Sequence, residues 1–422
     1  MTLDNFIEQN VSRKKRLFLL IISSIGWALV AAGVMVTSLT INDIVAYWKL
    51  SKVFSAVMAS STFFGMIAGA VSSGLISDTF GRKNSCVIFS SIFTLFSFSG
   101  GIASTPEMFL AFRIIAGFGM GGLLPALNTY LAEFLNISIR GMYLVLLEAS
   151  WAVGSIILGV FHLLFKNTLT WRGDYLFFIS GLIPLIFIMF MHESPKYLLI
   201  KKRYDKIQKL YNTNGSDIII PVNSKKYRVS DLFRDNHMKI TLNVWLLWFT
   251  MSIGYYGIFV WIKSILISKN ISVLSADWYT FYMFVAQLPG YLLAALLIEK
   301  VGRRKSLLFF MIGTGVSSLA FAFVSTQIQV LIFSLIVSVF CLGAWGITYA
   351  YTPELYPTHI RGIGNGSASA VTRFAGFLAP YYTSFFLEHS ITVGLVGIAI
   401  LFVITGILNF LFLPETMNKE VN

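Results

Sequence analysis

The chain has 422 residues, of which 56% are hydrophobic and only 12% charged, and its mean hydropathy is +0.75. A water-soluble protein of that size needs far more polar surface, so a soluble globular class is excluded and the bulk of the chain must be solvated by lipid. The formal net charge of +13 does not point to nucleic acid, because the cations gather at the ends of long apolar runs.

Runs long enough to cross about 30 Å of hydrocarbon at about 1.5 Å per residue fall near 17–38, 54–77, 86–103, 107–131, 142–165, 174–191, 241–267, 277–299, 306–324, 327–352, 363–387 and 391–413. These are twelve predicted spanning helices. Residues 1–16 read as a polar arm ending in Arg13-Lys14-Lys15-Arg16. The run that follows is too long for a cleavable signal, so helix 1 is expected to be retained. Asn42 to Lys52 read as an external loop, with Trp48 at the interface. Helices 2 and 3 flank a hinge, Gly74 to Lys83, and helix 4 follows the turn Ser104-Thr105-Pro106. Ala132 to Gly141 returns the chain to helix 5, and Trp171-Arg172-Gly173-Asp174 turns it into helix 6. Residues 192–240 are a polar linker in which Tyr204 to Tyr211 suit a short amphipathic surface helix. Helices 7–12 then repeat the plan and end at Pro414-Glu415-Thr416.

With both termini placed on one side, 24 Lys and Arg lie in segments on that side and 6 on the other, while Arg113 and Arg373 fall inside helices. That asymmetry predicts cytoplasmic termini and a cytoplasmic linker first, and an attraction to anionic lipid second. Cys86 and Cys341 lie in predicted helices of opposite halves and imply neither a disulfide nor a metal site.

The charged segments also repeat. Asp78 and Glu299, Gly81 and Gly302, Glu133 and Glu354, and Arg140 and Arg361 share one numbering offset (299 − 78 = 302 − 81 = 354 − 133 = 361 − 140 = 221). Four coincidences in one register mark two homologous halves carrying one charge pattern.

Gly74, Asp78, Gly81, Arg82 and Lys83, together with Arg113, Gly117 and Gly119, resemble the helix 2–3 and helix 4 signatures of the major facilitator superfamily of secondary transporters. Glu193-Ser194-Pro195 and Pro414-Glu415-Thr416 are similar to its sugar-porter and organic-ion branches. Leu147 to Trp151, Tyr255 to Trp261, Gln287 to Tyr291 and Arg373 to Gly376 resemble the bacterial niacin-transporter and synaptic-vesicle-protein-like branch. The resemblance implies an all-α membrane fold of two pseudo-symmetric six-helix bundles, residues 1–191 and 241–422, joined by the linker 192–240. It implies a monomer that alternates access, with no cofactor and no catalytic or metal site. Gly74, Asp78, Gly81, Arg82, Lys83, Glu133 and Arg140 would form one conformational gate. Glu299, Gly302, Arg303, Arg304, Glu354 and Arg361 would form the other. Asp78 is then expected at the N-terminus of helix 11 near Gly362, and Glu299 at that of helix 5 near Gly141, where a helix dipole favours a carboxylate.

An ionisable group within a spanning helix is costly and marks a candidate site. Arg373 lies about 15 Å into helix 11, near the midplane, where a guanidinium suits a carboxylate substrate; the competing reading is a structural partner of a neighbouring helix. Arg113 reads either as a cavity residue coupled to substrate or proton, or as a cation snorkelling to the outer interface. The branch that the chain resembles carries helix 1 aspartates shortly after a Gly-Trp pair. After Gly26-Trp27 this chain has Val30 and Gly33, which leaves Glu148 as the candidate proton carrier, the competing reading being a permanent ion pair with a neighbouring arginine. His162 reads as an interfacial polar group. Trp27, Asn128, Trp151, Tyr255, Tyr256, Gln287, Trp345 and Tyr349, with Phe259, are candidate cavity residues, flat rings suiting an aromatic solute. Gly117 to Gly122 follow no strand and serve helix packing. The expectation is a transporter of a small organic anion such as an aromatic carboxylate across the plasma membrane, driven by protons. A sugar or polyol porter is the alternative, and a non-transporting membrane sensor is the alternative from another class. An enzyme is not expected, since no nucleophile, base and orienter come together.

Overall fold

Apolar runs in lipid must satisfy their own backbone hydrogen bonds, and helices are what such runs form. The computed structural model describes residues 1–219, 228–234, 237–357 and 360–417, and it is all-α apart from an isolated parallel bridge between Thr2 and Ile219. In chain order the helices are α1 (Leu3–Asn10), α2 (Arg13–Trp48), α3 (Lys52–Phe80), α4 (Arg82–Gly100), α5 (Pro106–Ala132), α6 (Ile137–Leu176), α7 (Leu182–Phe190), α8 (Pro195–Ile200) and α9 (Tyr204–Tyr211). They continue with α10 (His237–Phe259), α11 (Ile262–Ser268), α12 (Val273–Val301), α13 (Arg303–Phe323), α14 (Gln327–Glu354), α15 (Arg361–His389) and α16 (Ile391–Phe412).

Nine stretches among the described residues are long and apolar enough to cross a membrane. One of them, Ile139–Phe190, covers the two expected runs 142–165 and 174–191 and is interrupted at Thr170, whose backbone sits at φ 55 and ψ −168. α4 and α15 are helical where runs were expected, but serines, glycines and Arg373 dilute their apolar character.

Start signals recur at the repeat spacing. Thr105 caps α5 by accepting from the Met108 amide, and Thr326, at the same offset (326 − 105 = 221), caps α14 by accepting from Gln329. Gly81 and Gly302 precede α4 and α13 at φ +102 and +94, a backbone region that a Cβ disfavours.

Within the polar arm 1–16, α1 buries Phe6 edge-on against Tyr211 at 5.2 Å, and the Asp4 carboxylate accepts the Ile137 amide at 2.8 Å. Two expectations are corrected. The predicted loop Asn42 to Lys52 is helical through Trp48, because Asn42-Asp43 sit among residues that sustain the helix, and the chain turns only at Lys49 (φ 51). The predicted helix 241–267 is broken at Val260-Trp261 between α10 and α11. The expected surface helix is α9, whereas residues 220–227 and 235–236 of the expected linker lie outside the described residues.

The chain packs as two compact units. The first comprises Met1–Gly33, Gly65–Gly154 and Tyr175–Ser224, and the second Val34–Phe64, Ser155–Asp174 and Lys225–Asn422. In the first, α3, α4 and α5 meet through glycine: a Cβ on Gly65 or Gly69 would lie 2.0 Å from the Ile114 or Phe118 carbonyl, and one on Gly121 would lie 2.1 Å from that of Met66. In the second, α10 packs on α15 and α16, α12 on α14, and α13 on α14 and α16. Gly290 and Gly343 repeat there what Gly69 and Gly122 do in the first, at the same offset (290 − 69 = 343 − 122 = 221).

Candidate functional site

Each unit carries a clamp at the glycine hinge. In the first, the Glu193 carboxylate accepts from the backbone amides of Arg82 and Lys83, both at 3.0 Å. The Arg82 guanidinium reaches Glu133 at 3.4 Å, Asp78 at 2.7 Å and the Ser77 carbonyl at 2.8 Å. The Ser194 hydroxyl donates to Glu133, and that of Tyr130 to the His192 carbonyl. In the second unit, Glu415 accepts from the amides of Arg303 and Arg304 at 2.9 and 3.1 Å. The Arg303 guanidinium reaches Glu354 at 3.0 Å and the Ile298 carbonyl at 3.2 Å. There Thr416 donates to Glu354 at 2.5 Å, and Tyr351 donates to the Pro414 carbonyl. Burial pushes the Glu415 carboxyl up, but its amide donors outweigh that and hold it below the usual carboxylate range.

These contacts join Arg82, Lys83 and Glu133, and at the repeat offset Arg303, Arg304 and Glu354. Arg140 and Arg361 do otherwise: their guanidinium groups donate to the carbonyls of Leu135 and Tyr356, each five residues upstream. Asp78 is exposed, and Glu299 is exposed and makes no ion pair among the described residues. Gly74 has open space where a Cβ would stand. The acids that close the clamps, Glu193 and Glu415, were read from sequence only as chain-end signatures. Their spacing of 222 (415 − 193) rather than 221 hid them, although Tyr130 and Tyr351 keep 221 (351 − 130).

Of the candidate residues in the first unit, Arg113 is only 1% exposed, donates to the Gly33 carbonyl at 2.9 Å and sits over the Tyr175 ring at 5.6 Å. It is a buried group and not a snorkelling one. Trp27 and Trp151 are buried, and Asn128 and Glu148 half-buried.

In the second unit, rings from α10 and α14 assemble. Trp345 lies 5.4 Å from Tyr255 and 6.1 Å from Tyr256, while Tyr349 stands edge-on to Trp248 at 4.8 Å. Tyr255 stacks on Phe259 at 4.7 Å, and Phe63 of α3 lies 4.6 Å from Tyr256. Trp248 was not singled out from sequence; its indole N–H donates to Thr352 at 3.0 Å. Gln287 is fully buried, and both its amide N and O lack a hydrogen-bond partner among the described residues. Arg373 is 6% exposed, and its Nε is likewise without a partner among them.

The second unit also holds a group whose members are far apart in the sequence. His162 is 2% exposed, its Nδ1 2.8 Å from Asp174 and its Nε2 3.6 Å from Asp277. Lys166 and Lys263 reach Asp277 at 2.5 and 2.8 Å, and Lys263 lies 3.5 Å from Asp43.

Comparison with known proteins decides the family. The profile of the sugar (and other) transporters matches residues 6–422. The chain belongs to that family. This transporter is 33% identical over 376 residues to the niacin transporter NiaP of Acinetobacter baylyi, covering 86% of this chain and 85% of that one. It is 26% identical over 403 residues to the synaptic vesicle 2-related protein of Xenopus laevis, covering 88% and 73%. Among solved structures it resembles a partially occluded, inward-open xylose transporter XylE of E. coli with a TM-score of 0.79 at 18% identity, covering 95% and 98%. At that identity the likeness shows the fold alone, which is that of the major facilitator superfamily. The transporter is therefore a multi-pass integral membrane protein moving a small-molecule solute, and not an enzyme.

Proposed function

We propose that this transporter is a proton-coupled secondary carrier of a small organic anion, an aromatic or heteroaromatic carboxylate such as nicotinate. Arg373 carries the reading. A guanidinium in the apolar interior needs an acceptor, and one with donor capacity to spare matches a substrate carboxylate. Trp345, Tyr255, Tyr256 and Tyr349 supply flat faces for an aromatic ring, and the chain's similarity to a niacin transporter supports the same class. Trp27, Asn128, Trp151 and Arg113 complete the proposed contacts, and Glu148 is the proposed proton carrier on α6. In this reading the chain crosses the plasma membrane twelve times and works as a monomer, with both termini and residues 192–240 cytoplasmic. The proposed bundles are residues 1–191 and 241–422, and the hinge residues of the two clamps, with Asp78 and Glu299, are the proposed conformational gate.

A sugar or polyol porter is the second reading, favoured by Gln287, whose unpartnered amide suits a hydroxyl. Uptake of labelled nicotinate, benzoate, glucose and an organic cation into proteoliposomes, with and without a proton gradient, separates the two. Accumulation of a carboxylate, abolished by Arg373→Ala, is the expected result. Glucose uptake, or indifference to that substitution, would overturn it.

A further inference from the structure

His162 lies between two carboxylates. A neutral imidazole has one N–H to offer, so it can serve only Asp174 or Asp277, and its bare nitrogen then faces the lone pairs of the other. An imidazolium donates to Asp174 and sets its positive charge 3.6 Å from Asp277. The charges around it come from four helices: Asp43 on α2, His162, Lys166 and Asp174 on α6, Lys263 on α11 and Asp277 on α12. With His162 protonated, three cations (His162, Lys166, Lys263) meet three carboxylates (Asp43, Asp174, Asp277) and the group is neutral. Without that proton the group carries a net −1, and His162, Asp174, Asp277 and Lys263 are each no more than 2% exposed. An uncompensated charge at such a depth is costly, so the proton and the closed arrangement stabilise each other.

The place of this group matters. Asp277 opens α12 and Arg303 follows its end, further on by 26 (303 − 277) or about 39 Å along a helix, so the group and the Arg303 clamp lie at opposite ends of the unit. By the register of the repeat, Asp43, His162, Lys166 and Asp174 belong to the first half of the sequence, and Lys263 and Asp277 to the second.

We propose that His162, held between Asp174 and Asp277, is a proton-binding site of this transporter, and that its proton ties residues of the two sequence halves together at the end of their unit opposite the Arg303 clamp. A proton entering from that side closes the network behind the solute; losing it unpairs the carboxylates and lets that end open. The link to solute movement rests on the carrier reading above, whereas the site itself does not.

The test has two arms. In proteoliposomes, His162→Gln should keep equilibrium exchange of labelled for unlabelled nicotinate at equal pH within about threefold, yet lose gradient-driven accumulation by about tenfold or more. Accumulation at the wild-type level would overturn the proposal, as would loss of exchange in a variant with wild-type thermal stability. Should the wild type move no nicotinate, the cargo reading fails and the second arm still decides the site. In substrate-free protein labelled with ¹³C-histidine, the His162 resonance, identified by its absence in His162→Gln, should titrate, and Asp174→Asn should move its midpoint down by about one pH unit or more. A resonance whose midpoint ignores Asp174→Asn would overturn the proposal.

Discussion

Glu415 accepts a hydrogen bond from the backbone amide of Arg303 at 2.9 Å, and three further amides, those of Arg304, Thr416 and Met417, converge on the same carboxylate. One acid thus satisfies the orphan donors that open α13, where the helix dipole also favours a negative charge. Because its folded pKa is depressed, its contribution to stability is present above the ordinary glutamate value of about 4.3 and is lost as pH falls through the lower folded value. Thermal unfolding in detergent should show the wild type losing stability as pH drops below about 4. Glu415→Gln should start lower and depend less on pH in that window.

Asp78 reaches Arg82 from the solvent side of the clamp, its side chain 75% exposed against 12% for Arg82. Such pairs contribute at most about 1 kcal/mol, so Asp78→Asn should shift the melting temperature little. The proposed gate makes a different demand on it: transport should fall by about tenfold or more with the protein still in the membrane. Unchanged uptake would remove Asp78 from the gate.

Arg303 and Glu354 are largely shielded, and Glu354 also accepts from Thr416. A double-mutant cycle of Arg303→Gln and Glu354→Gln, read by thermal or denaturant unfolding, should give a coupling of about 1–3 kcal/mol. A value near zero would mean the second clamp is held by Glu415 alone.

Glycines that look alike in sequence differ in what they permit. Gly69→Ala would drive a methyl to 2.0 Å from the Phe118 carbonyl and force α3 and α5 apart, whereas Gly74→Ala meets nothing within 4 Å. The first should lower yield of folded protein in detergent or unfold it well below the wild type. The second should be as stable as the wild type, or more stable by up to about 1 kcal/mol through helix propensity.

Arg373→Lys keeps the positive charge but loses the planar two-point grip on a carboxylate. Saturation kinetics of nicotinate uptake should show KM rising about tenfold, with a smaller change in maximal rate.

The all-helical fold and both clamps were largely legible, because a duplicated chain prints its charge pattern twice and a constant offset between the copies can be read without coordinates. What escaped was non-local. Glu193 and Glu415 sit one residue out of register, so the acids that close the clamps read as punctuation. Lys166 looked like a loop cation and Lys263 like the tail of a spanning run, since a hydropathy window cannot tell a charge solvated by water from one neutralised by Asp277. His162 depended on the same missing partners: Asp174 is twelve residues away across the break at Thr170, and Asp277 is on another helix. Trp48 was set in a loop because Asn42 and Asp43 interrupt the apolar run, yet Asp43 has Lys263 beside it and the helix continues.

The one-residue discrepancy shows what the clamp tolerates. The step from Arg140 to Glu193 is 53 (193 − 140) and that from Arg361 to Glu415 is 54 (415 − 361), whereas Gly81, Thr105, Tyr130, Glu133 and Arg140 each stand 221 from their counterparts. The two copies of the last helical hairpin thus differ in length by one residue, yet Glu193 and Glu415 grip equivalent amides. The extra length is taken up before the hairpin ends, so the handclasp at the hinge does not depend on an exact count of residues leading to it.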